Sequence, residues 1–275
     1  MAGRGDGPVT PVSGRAPRVV VVGAGMGGLA AAVELATAGA EVIVVETHPS
    51  PGGKMREVKI AGEGIDSGPT VFTMRRVFEE LFALAGSCLA DNVSLAPVHT
   101  LARHSWLDGS RLDLFADRER TSAAIEAFGG PQEAEGYRAF ARQTERVFEL
   151  LDPTFMRRQR PGVFALALAL GPGGLLGLHA SRPFTSLWKA TGRYFRDPRL
   201  RQLFGRYATY CGSSPFAAPA TLMLIAHAEQ AGVWQVRGGM QRLAEALADL
   251  AGRAGAAVRC STTVRAIRAA HGRVT

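Results

Sequence analysis

The first strongly patterned stretch of the chain is an apolar, β-branched run, Val19–Val22, directly after Arg18. A continuous run of this kind is typical of a buried strand in a parallel sheet. The Ala-rich stretch Leu29–Ala38 then predicts a helix that ends at Gly39, and Glu41–Glu46 predicts a second strand. Together these elements predict one βαβ unit at the start of the chain.

The alternation of strands and helices gives way to other elements in the middle of the chain and returns near its end. Asp108-Gly109 predicts a hairpin turn between strands His104–Leu107 and Arg111–Phe115. From Asp117 to about Gly232 the pattern is mostly helical. The clearest predicted helices are Pro131–Leu150, Asp197–Tyr210, Ala217–Ala231 and Met240–Ala254, and the late predicted strands are Val233–Val236, Ala257–Cys260 and Val264–Ala269.

This order of elements predicts an open, mostly parallel α/β sheet that is interrupted by a helical insertion. We expect a disordered tail at 1–16, a nucleotide-binding domain formed by 17–75 and 233–275, and an inserted domain at 76–232. A parallel sheet needs more strands than these to be covered. We therefore expect the chain to be C-terminally incomplete.

The net charge of +8 is concentrated in one segment. Residues 151–210 hold ten Lys or Arg and two acids, whereas the rest of the chain is neutral. A basic segment fits an anionic partner, either lipid or nucleic acid, although a solvated face that binds nothing is the simpler alternative.

The spacing of the cysteines and the length of the apolar runs indicate in which cellular compartment the protein is expected. Three widely separated cysteines, Cys88, Cys211 and Cys260, fit neither a disulfide framework nor a zinc site, which favours a reducing cytoplasm. The longest apolar run, Val163–Leu178, is broken by glycines and a proline and is too short to span a bilayer.

Gly23, Gly25 and Gly28 form a GxGxxG pattern between the first strand and the first helix. Gly23 permits a tight turn, Gly25 lets the backbone approach a pyrophosphate, and Gly28 allows the helix to pack closely on the strand. The helix N-terminus offers N–H groups and positive charge to phosphates. Glu46 ends the second strand, where a carboxylate accepts hydrogen bonds from ribose hydroxyls. We therefore expect a dinucleotide site, and the carboxylate disfavours NADP.

Further glycine-containing segments bear on which dinucleotide is bound. Pro51–Arg56 and Ile65–Thr70 follow Glu46, and Arg237–Leu243 contains a second Gly-Gly helix start. These segments resemble the glycine doublet, the D-x-G-P segment and the second Gly-Gly helix of flavoproteins of the phytoene desaturase, amine oxidase and protoporphyrinogen oxidase superfamily. The resemblance implies a Rossmann-like FAD-binding fold. It also implies FAD contacts by Gly23, Gly25, Met26, Gly28, Glu46, Gly52, Gly53, Lys54, Met55, Arg56, Gly68, Pro69, Thr70 and Val264.

The resemblance narrows at Gly68–Met74, which is similar to the G-P-x-x-x-T-x pattern of bacterial carotenoid desaturases. Leu101–Trp106 and Asp108–Asp117 resemble the 1-hydroxycarotenoid 3,4-desaturase branch. The implied activity is FAD-dependent desaturation of an acyclic carotenoid, at C3–C4 of a 1-hydroxycarotenoid. An amine or protoporphyrinogen oxidase, or a GDP-dissociation-inhibitor-like relative without flavin, remains the alternative.

Desaturation removes a hydride and a proton, and a side chain cannot accept the hydride. The weak catalytic candidates are His104, beside Trp106 in the hairpin, and Arg237, just before the glycine doublet. His99, His179 and His227 are further bases, each more often structural. We expect no metal.

A carotenoid is insoluble, so the enzyme must collect it from a bilayer. We expect 151–210 to dock on a membrane surface and not to bind nucleic acid, and we expect the protein in the cytoplasm at the inner membrane. The sequence predicts no oligomeric state. The residues assigned to the membrane face are Arg157, Arg158, Arg160, Arg182, Trp188, Tyr194, Phe195 and the apolar run 163–178.

Overall fold

The computed structural model describes residues 16–157, 184–270 and 273–274. The chain divides into two compact units. Unit 1 comprises Met1–Ala96 and Trp234–Thr275, and unit 2 comprises Pro97–Val233. The chain therefore leaves unit 1 once and returns to it once.

Unit 1 contains a three-stranded parallel sheet in the order β1 (Arg18–Val22), β2 (Glu41–Val45) and β9 (Ala257–Arg259). Val20 pairs with Ile43, and Val44 pairs with Val258. The prediction that strands from the two ends of the chain share one sheet is confirmed. Helix α1 (Met26–Thr37) makes the crossover between β1 and β2 that a parallel pair requires.

Helix α1 and helix α9 (Gln241–Arg253) pack on one face of this sheet. Their apolar side chains share a core with Val42 and Val44. On the opposite face Val20 and Val22 are 55% and 56% exposed. The prediction that β1 is buried on both faces is therefore wrong, because in the described part of the chain only one face of the sheet is covered.

The predicted domain boundary at 75/76 differs from the division between Ala96 and Pro97. Phe82, Leu89 and Val93 are buried in the unit 1 core, so the segment that carries them belongs to unit 1. The remaining elements of this unit are β3 (Glu57–Ile60) antiparallel to β4 (Glu63–Asp66), α2 (Arg75–Leu84), α3 (Leu89–Asn92), and β5 (Leu95–Pro97) paired with β8 (Trp234–Val236).

Unit 2 begins with the predicted hairpin and continues as helices. Residues 206–210 and 220–223, which were predicted to be α-helical, instead lie in the 3₁₀ turns Arg206–Cys211 and Ala220–Met223. The core is rich in aromatic side chains, and Phe195 stacks on Phe204 at 4.6 Å between ring centroids. The elements are β6 (Thr100–Ser105), β7 (Arg111–Phe115), α4 (Arg118–Gly129), α5 (Pro131–Leu151), a π-helical turn (Asp152–Met156), α6 (Leu187–Thr191), α7 (Pro198–Gly205) and α8 (Leu224–Gln230).

The predicted strand Val264–Ala269 is absent, and residues 262–268 have no regular structure. Ser261 adopts a left-handed backbone with φ of 52°, and the N–H of Thr262 donates to the carbonyl of Glu46 at 2.7 Å. The chain therefore turns across the end of the sheet. Only the short pair β10 (Ala269–Ala270) and β11 (Arg273–Val274) follows in the described residues.

Within residues 16–157, 184–270 and 273–274, no helix has the length and apolar character needed to cross a membrane. The apolar run 163–178 and residues Arg158, Arg160, His179 and Arg182 lie outside the described residues.

Candidate functional site

The GxGxxG turn connects β1 to α1, and two of its glycines are required by the fold itself. Gly23 has φ of 97°, a backbone conformation that favours glycine. A Cβ on Gly28 would lie 2.0 Å from the carbonyl oxygen of Gly23. Packing of the first helix turn onto the strand therefore excludes any side chain at 28.

Gly25 differs, because nothing in the described part of the chain requires its missing side chain. Its φ is −74°, and no atom of the described residues lies within 4 Å of the position that a Cβ would take. Gly25 is also the N-cap of α1, whose first turn has no capping side chain and no acidic residue. Open space thus lies beside unpaired helix N–H groups, an arrangement that fits a phosphate. Met26 begins the helix and packs against the unit 1 core.

Glu46 follows β2 and is 7% exposed. Its carboxylate accepts from the N–H of His48 at 2.9 Å and from the N–H of Ala24 at 2.8 Å. The bond from His48 is the main cause that lowers the pKa of Glu46, and the bond from Ala24 acts in the same direction. Glu46 therefore stays ionised at neutral pH and also fixes the glycine turn through Ala24.

The second glycine segment lies directly on the first. The N–H of Gly52 donates to the carbonyl of Ala24 at 2.8 Å, and Gly25 forms a parallel bridge with Gly52. A Cβ on Gly53 would lie 3.2 Å from the Cα of Gly25, and Gly53 has φ of 60°. The glycine at 53 therefore allows the two loops to touch, whereas a side chain at 52 would meet the carbonyl of Met55.

The D-x-G-P segment is packed against the same loop. A Cβ on Gly68 would lie 1.9 Å from the carbonyl oxygen of Lys54, so only glycine fits there. The guanidinium of Arg56 donates to the hydroxyl of Ser67 at 3.2 Å. Met55 packs against the unit 1 core, while Lys54 is exposed. Pro69, the next residue of the segment, is exposed as well.

A cavity of about 580 Å³ opens beside this segment. It brings together two predicted residues that are far apart in sequence, Thr70 and Arg237. Gly238 and Gly239 form part of its wall, with φ of 81° and 88°. The predicted glycine doublet therefore belongs to the same site as the D-x-G-P segment.

Two residues of this site were not singled out by the sequence. Gln241 donates from its amide to the carbonyl of Pro51 at 2.8 Å, and Asp66 accepts from the N–H of Met240 at 2.9 Å. Both bonds attach the start of α9 to the glycine segments. Asp66 is the first residue of the D-x-G-P motif, so the sequence could have identified it as a site residue. No sequence signal identifies Gln241.

Val264 is 37% exposed and lies in the irregular segment two residues beyond Thr262. The bond from Thr262 to the Glu46 carbonyl places the start of this segment at the end of β2. The expected FAD contact of Val264 stays a prediction.

The catalytic candidate His104 belongs to unit 2, and Arg237 to unit 1. His104 is half-buried in β6, and its Nε2 has no hydrogen-bond partner within the described chain. Burial lowers the pKa of His104, and the charge of Arg206 lowers this pKa further. The imidazole is therefore neutral at pH 7. Its catalytic role stays a prediction.

His227 is fixed by structural contacts. A guanidinium nitrogen of Arg118 lies 3.2 Å from its Nδ1, and the ring packs 4.9 Å from that of Phe148. The guanidinium can only donate, so Nδ1 accepts and the proton of the neutral ring is on Nε2. His99, the other described candidate, is exposed.

Unit 2 also contains a buried polar cluster that the sequence analysis missed. The carboxylate of Glu229 accepts from Arg206 at 2.7 Å and from the hydroxyls of Tyr207 and Tyr210. Burial raises the pKa of Tyr210 to about 12, so this hydroxyl stays a donor. Arg206, which belongs to the basic segment 151–210, therefore forms a partly buried ion pair.

One aromatic residue assigned to the membrane face lies in the core. Phe195 is 1% exposed, so that part of the prediction is wrong, because the hydrophobic effect favours this ring inside unit 2. Tyr194 is half-buried, with its pKa raised by burial, and its place at the membrane face stays a prediction. Trp188 is half-buried beneath the guanidinium of Arg201, at 4.4 Å, and beside the exposed Phe216.

Residues 26–275 match the family described as flavin containing amine oxidoreductase. The chain is 50% identical over 238 residues to a hydroxyneurosporene desaturase of Rubrivivax gelatinosus, a match that covers 86% of this chain and 45% of that protein. It is 45% identical over 265 residues to a hydroxyneurosporene desaturase of Cereibacter sphaeroides, with coverage of 94% and 52%. The chain thus spans about half the length of the curated relatives it matches.

A solved structure of a putrescine oxidase double mutant is similar to the chain with a TM-score of 0.56 and 18% identity. The match covers 92% of this chain and 53% of that one. At this level of identity the likeness supports the fold alone, which agrees with the predicted flavin-binding α/β architecture.

Proposed function

Because the chain belongs to the flavin containing amine oxidoreductase family, we propose that the protein binds FAD and desaturates an acyclic carotenoid. The observation that carries the cofactor proposal is the open space at Gly25, beside the uncapped start of α1. A glycine that the fold does not need, at a helix N-terminus with free N–H groups, fits a pyrophosphate.

The residues around this space fit the other parts of FAD. Glu46 is ionised and able to accept from ribose hydroxyls through its remaining lone pairs. The cavity bounded by Thr70, Gly239 and Arg237 has a volume that suits a ring system. The guanidinium of Arg237 would favour a negative charge there. When bound, FAD supplies the hydride acceptor that side chains lack.

The names of the relatives support the choice of substrate. Both relatives described above are hydroxyneurosporene desaturases. By this similarity we propose a hydroxylated carotene as the substrate. The hydroxyl at position 1 and the new double bond at C3–C4 are proposed from the sequence resemblance to the 1-hydroxycarotenoid 3,4-desaturase branch. Oxidation of a C–C bond also releases a proton, and the neutral His104 is the first base to test.

The alternatives differ in substrate or in cofactor. An amine or porphyrinogen oxidase would share the FAD cradle but not the substrate. A GDP-dissociation-inhibitor-like protein would bind no flavin, and the free space at Gly25 together with the ionised Glu46 argues against it.

The test is turnover by the full-length protein in liposomes that contain a 1-hydroxylated acyclic carotene, phytoene or a simple amine. We expect a yellow protein whose flavin is released by heat, and a red-shifted product from the hydroxylated carotene only. Oxidation of the amine without a red-shifted carotenoid would contradict the desaturase proposal. A colourless protein would contradict the cofactor proposal.

A membrane partner follows from the insolubility of the proposed substrate. We propose that aromatic and basic residues of unit 2 form a membrane-docking surface, the basic aromatic surface, which we define as Phe184, Trp188, Lys189, Arg193, Arg196 and Phe216. Phe184 and Phe216 are 102% and 65% exposed, and the three cations are exposed as well. Aromatic rings with adjacent cations favour the headgroup region of an anionic bilayer, here the cytoplasmic face of the inner membrane.

Co-sedimentation with vesicles tests this surface. Wild-type binding should rise with the fraction of anionic lipid and fall with salt, because screening weakens the attraction. The double variant Arg193→Glu/Arg196→Glu should bind much more weakly. Arg138→Glu/Arg142→Glu changes the net charge equally at exposed positions of α5 and serves as the control. Equal losses in both variants would indicate that net charge, and not this surface, governs binding.

A further inference from the structure

Helix α9 begins without a cap of its own. Its N-cap residue, Met240, provides no side-chain hydrogen bond, and the first turn contains no acid. The carboxylate of Asp66, at the end of β4, takes this place by accepting from the Met240 N–H at 2.9 Å. Such an acceptor oxygen satisfies one unpaired N–H donor at the start of the helix. The cap of α9 therefore comes from a segment that is distant in sequence.

The turn before α9 is shaped around this carboxylate. A Cβ on Gly239 would lie 3.0 Å from Oδ1 of Asp66, and the φ of Gly239 is 88°. A side chain at 239 would be strained and would push the carboxylate away from Met240. The second glycine of the doublet is thus required by Asp66 as well as by its backbone conformation.

Asp66, Gly239 and Arg237 line the same cavity of about 580 Å³. The hydrogen bond from Met240 therefore fixes one wall of the cavity relative to the other. If the bond were lost, the Arg237–Gly239 turn would stay attached through the backbone N–H of Arg237, which donates to the carbonyl of Ser94. It would lose its hydrogen bond to Asp66 of the D-x-G-P segment.

From this geometry we infer that Asp66 is a positioning residue of the cofactor site, which acts by holding the Arg237–Gly239 turn through the Met240 N–H. The inference rests on the proposed binding of FAD. We expect Asp66 to raise the affinity for FAD through its acceptor oxygen. The negative charge of its carboxylate is not required for this effect.

The test compares three variants of the full-length protein by FAD titration, the visible spectrum of the bound flavin, and thermal unfolding. Asp66→Ala should weaken FAD binding by about 5- to 30-fold, the equivalent of one lost cap, and should shift or blur the flavin absorption band. Asp66→Asn keeps an acceptor oxygen and should bind FAD within about twofold of wild type. Asp117→Ala removes a comparable cap, that of α4 in unit 2, and should change unfolding but not FAD affinity.

Each remaining outcome contradicts the inference in a recognisable way. Unchanged FAD affinity and an unchanged spectrum in Asp66→Ala, with a lower unfolding temperature, would make Asp66 purely structural. Equal losses in Asp66→Asn and Asp66→Ala would show that the charge acts directly. If Asp66→Ala does not fold, Gly239→Ala must weaken FAD binding instead, and unchanged affinity there overturns the inference. A wild type without flavin would contradict the proposed function itself.

Discussion

At the scale of single residues, the glycines of the first turn illustrate two different reasons for the same residue type. The absence of a side chain at Gly28 is required by the carbonyl of Gly23, whereas the absence of a side chain at Gly25 leaves space that the protein does not fill. The sequence pattern assigns both to one motif. Only the structure distinguishes the glycine that packing requires from the glycine that leaves space for a ligand.

This separation predicts opposite effects for two small substitutions. Gly25→Ala fits the backbone at φ of −74° and should lower the free energy of unfolding by less than about 1 kcal/mol, the usual cost of alanine at an N-cap, yet weaken FAD binding at least tenfold. Gly28→Ala should lower the free energy of unfolding by about 1–3 kcal/mol, because the methyl group overlaps a backbone oxygen. Urea unfolding of the flavin-free proteins and FAD titration measure the two effects. Equal destabilisation by both substitutions would contradict this assignment.

At the scale of elements, α8 joins several parts of unit 2 through titratable side chains. Glu229 binds Arg206 and two tyrosines, and two residues earlier His227 meets Arg118. Burial lowers the pKa of His227, and the charge of Arg118 lowers it further, while Glu145 and Glu149 oppose this. In the folded protein the ring is thus harder to protonate than in the unfolded chain.

The lowered pKa of His227 fixes the sign of a pH effect. As pH falls through about 6.5, the unfolded chain takes up a proton that the folded protein still excludes, so stability falls. The loss continues until the pH reaches the folded pKa. His227→Gln keeps an acceptor for Arg118 and should reduce the difference in free energy of unfolding between pH 7.5 and pH 5.5. His99→Gln, at an exposed position, should keep the wild-type difference. Urea titrations at both pH values test this, and an unchanged difference in His227→Gln would refute it.

At the scale of the whole molecule, the described chain has two cores. The buried residues of unit 1 include Leu247, and those of unit 2 include Phe195. Their side chains are 0% and 1% exposed. A cavity made in one core should therefore act mainly on the unit that contains it.

Leu247→Ala and Phe195→Ala test this separation. They should lower the free energy of unfolding by about 2–5 and 3–5 kcal/mol. Only Leu247→Ala should reduce flavin retention below the unfolding midpoint, since α9 belongs to the unit with the glycine segments. Flavin fluorescence and circular dichroism recorded during the same thermal scan separate the two effects. Equal loss of flavin from both variants would argue against independent cores.

Local patterns predicted much of this architecture. The β-branched run, the GxGxxG pattern and the Asp108-Gly109 turn predicted β1, the α1 turn and the β6–β7 hairpin because each depends on nearby residues. Long-range contacts were not predictable in the same way. The attachment of α9 by Asp66 and Gln241, the burial of Phe195, and the extension of unit 1 to Ala96 each depend on residues far apart in the chain.

The return of the chain to unit 1 has a consequence for folding during synthesis. A ribosome makes β1, α1 and β2 first, and must then translate more than a hundred residues of unit 2 before α9 and β9 emerge. At usual elongation rates this takes roughly ten seconds. Throughout that interval one edge of β2 lacks β9 and the apolar side of α1 lacks α9. The nascent chain therefore exposes an unpaired strand edge and an apolar helix surface. Chaperone binding to the nascent chain should therefore peak while unit 2 is being translated and decline once α9 has left the exit tunnel.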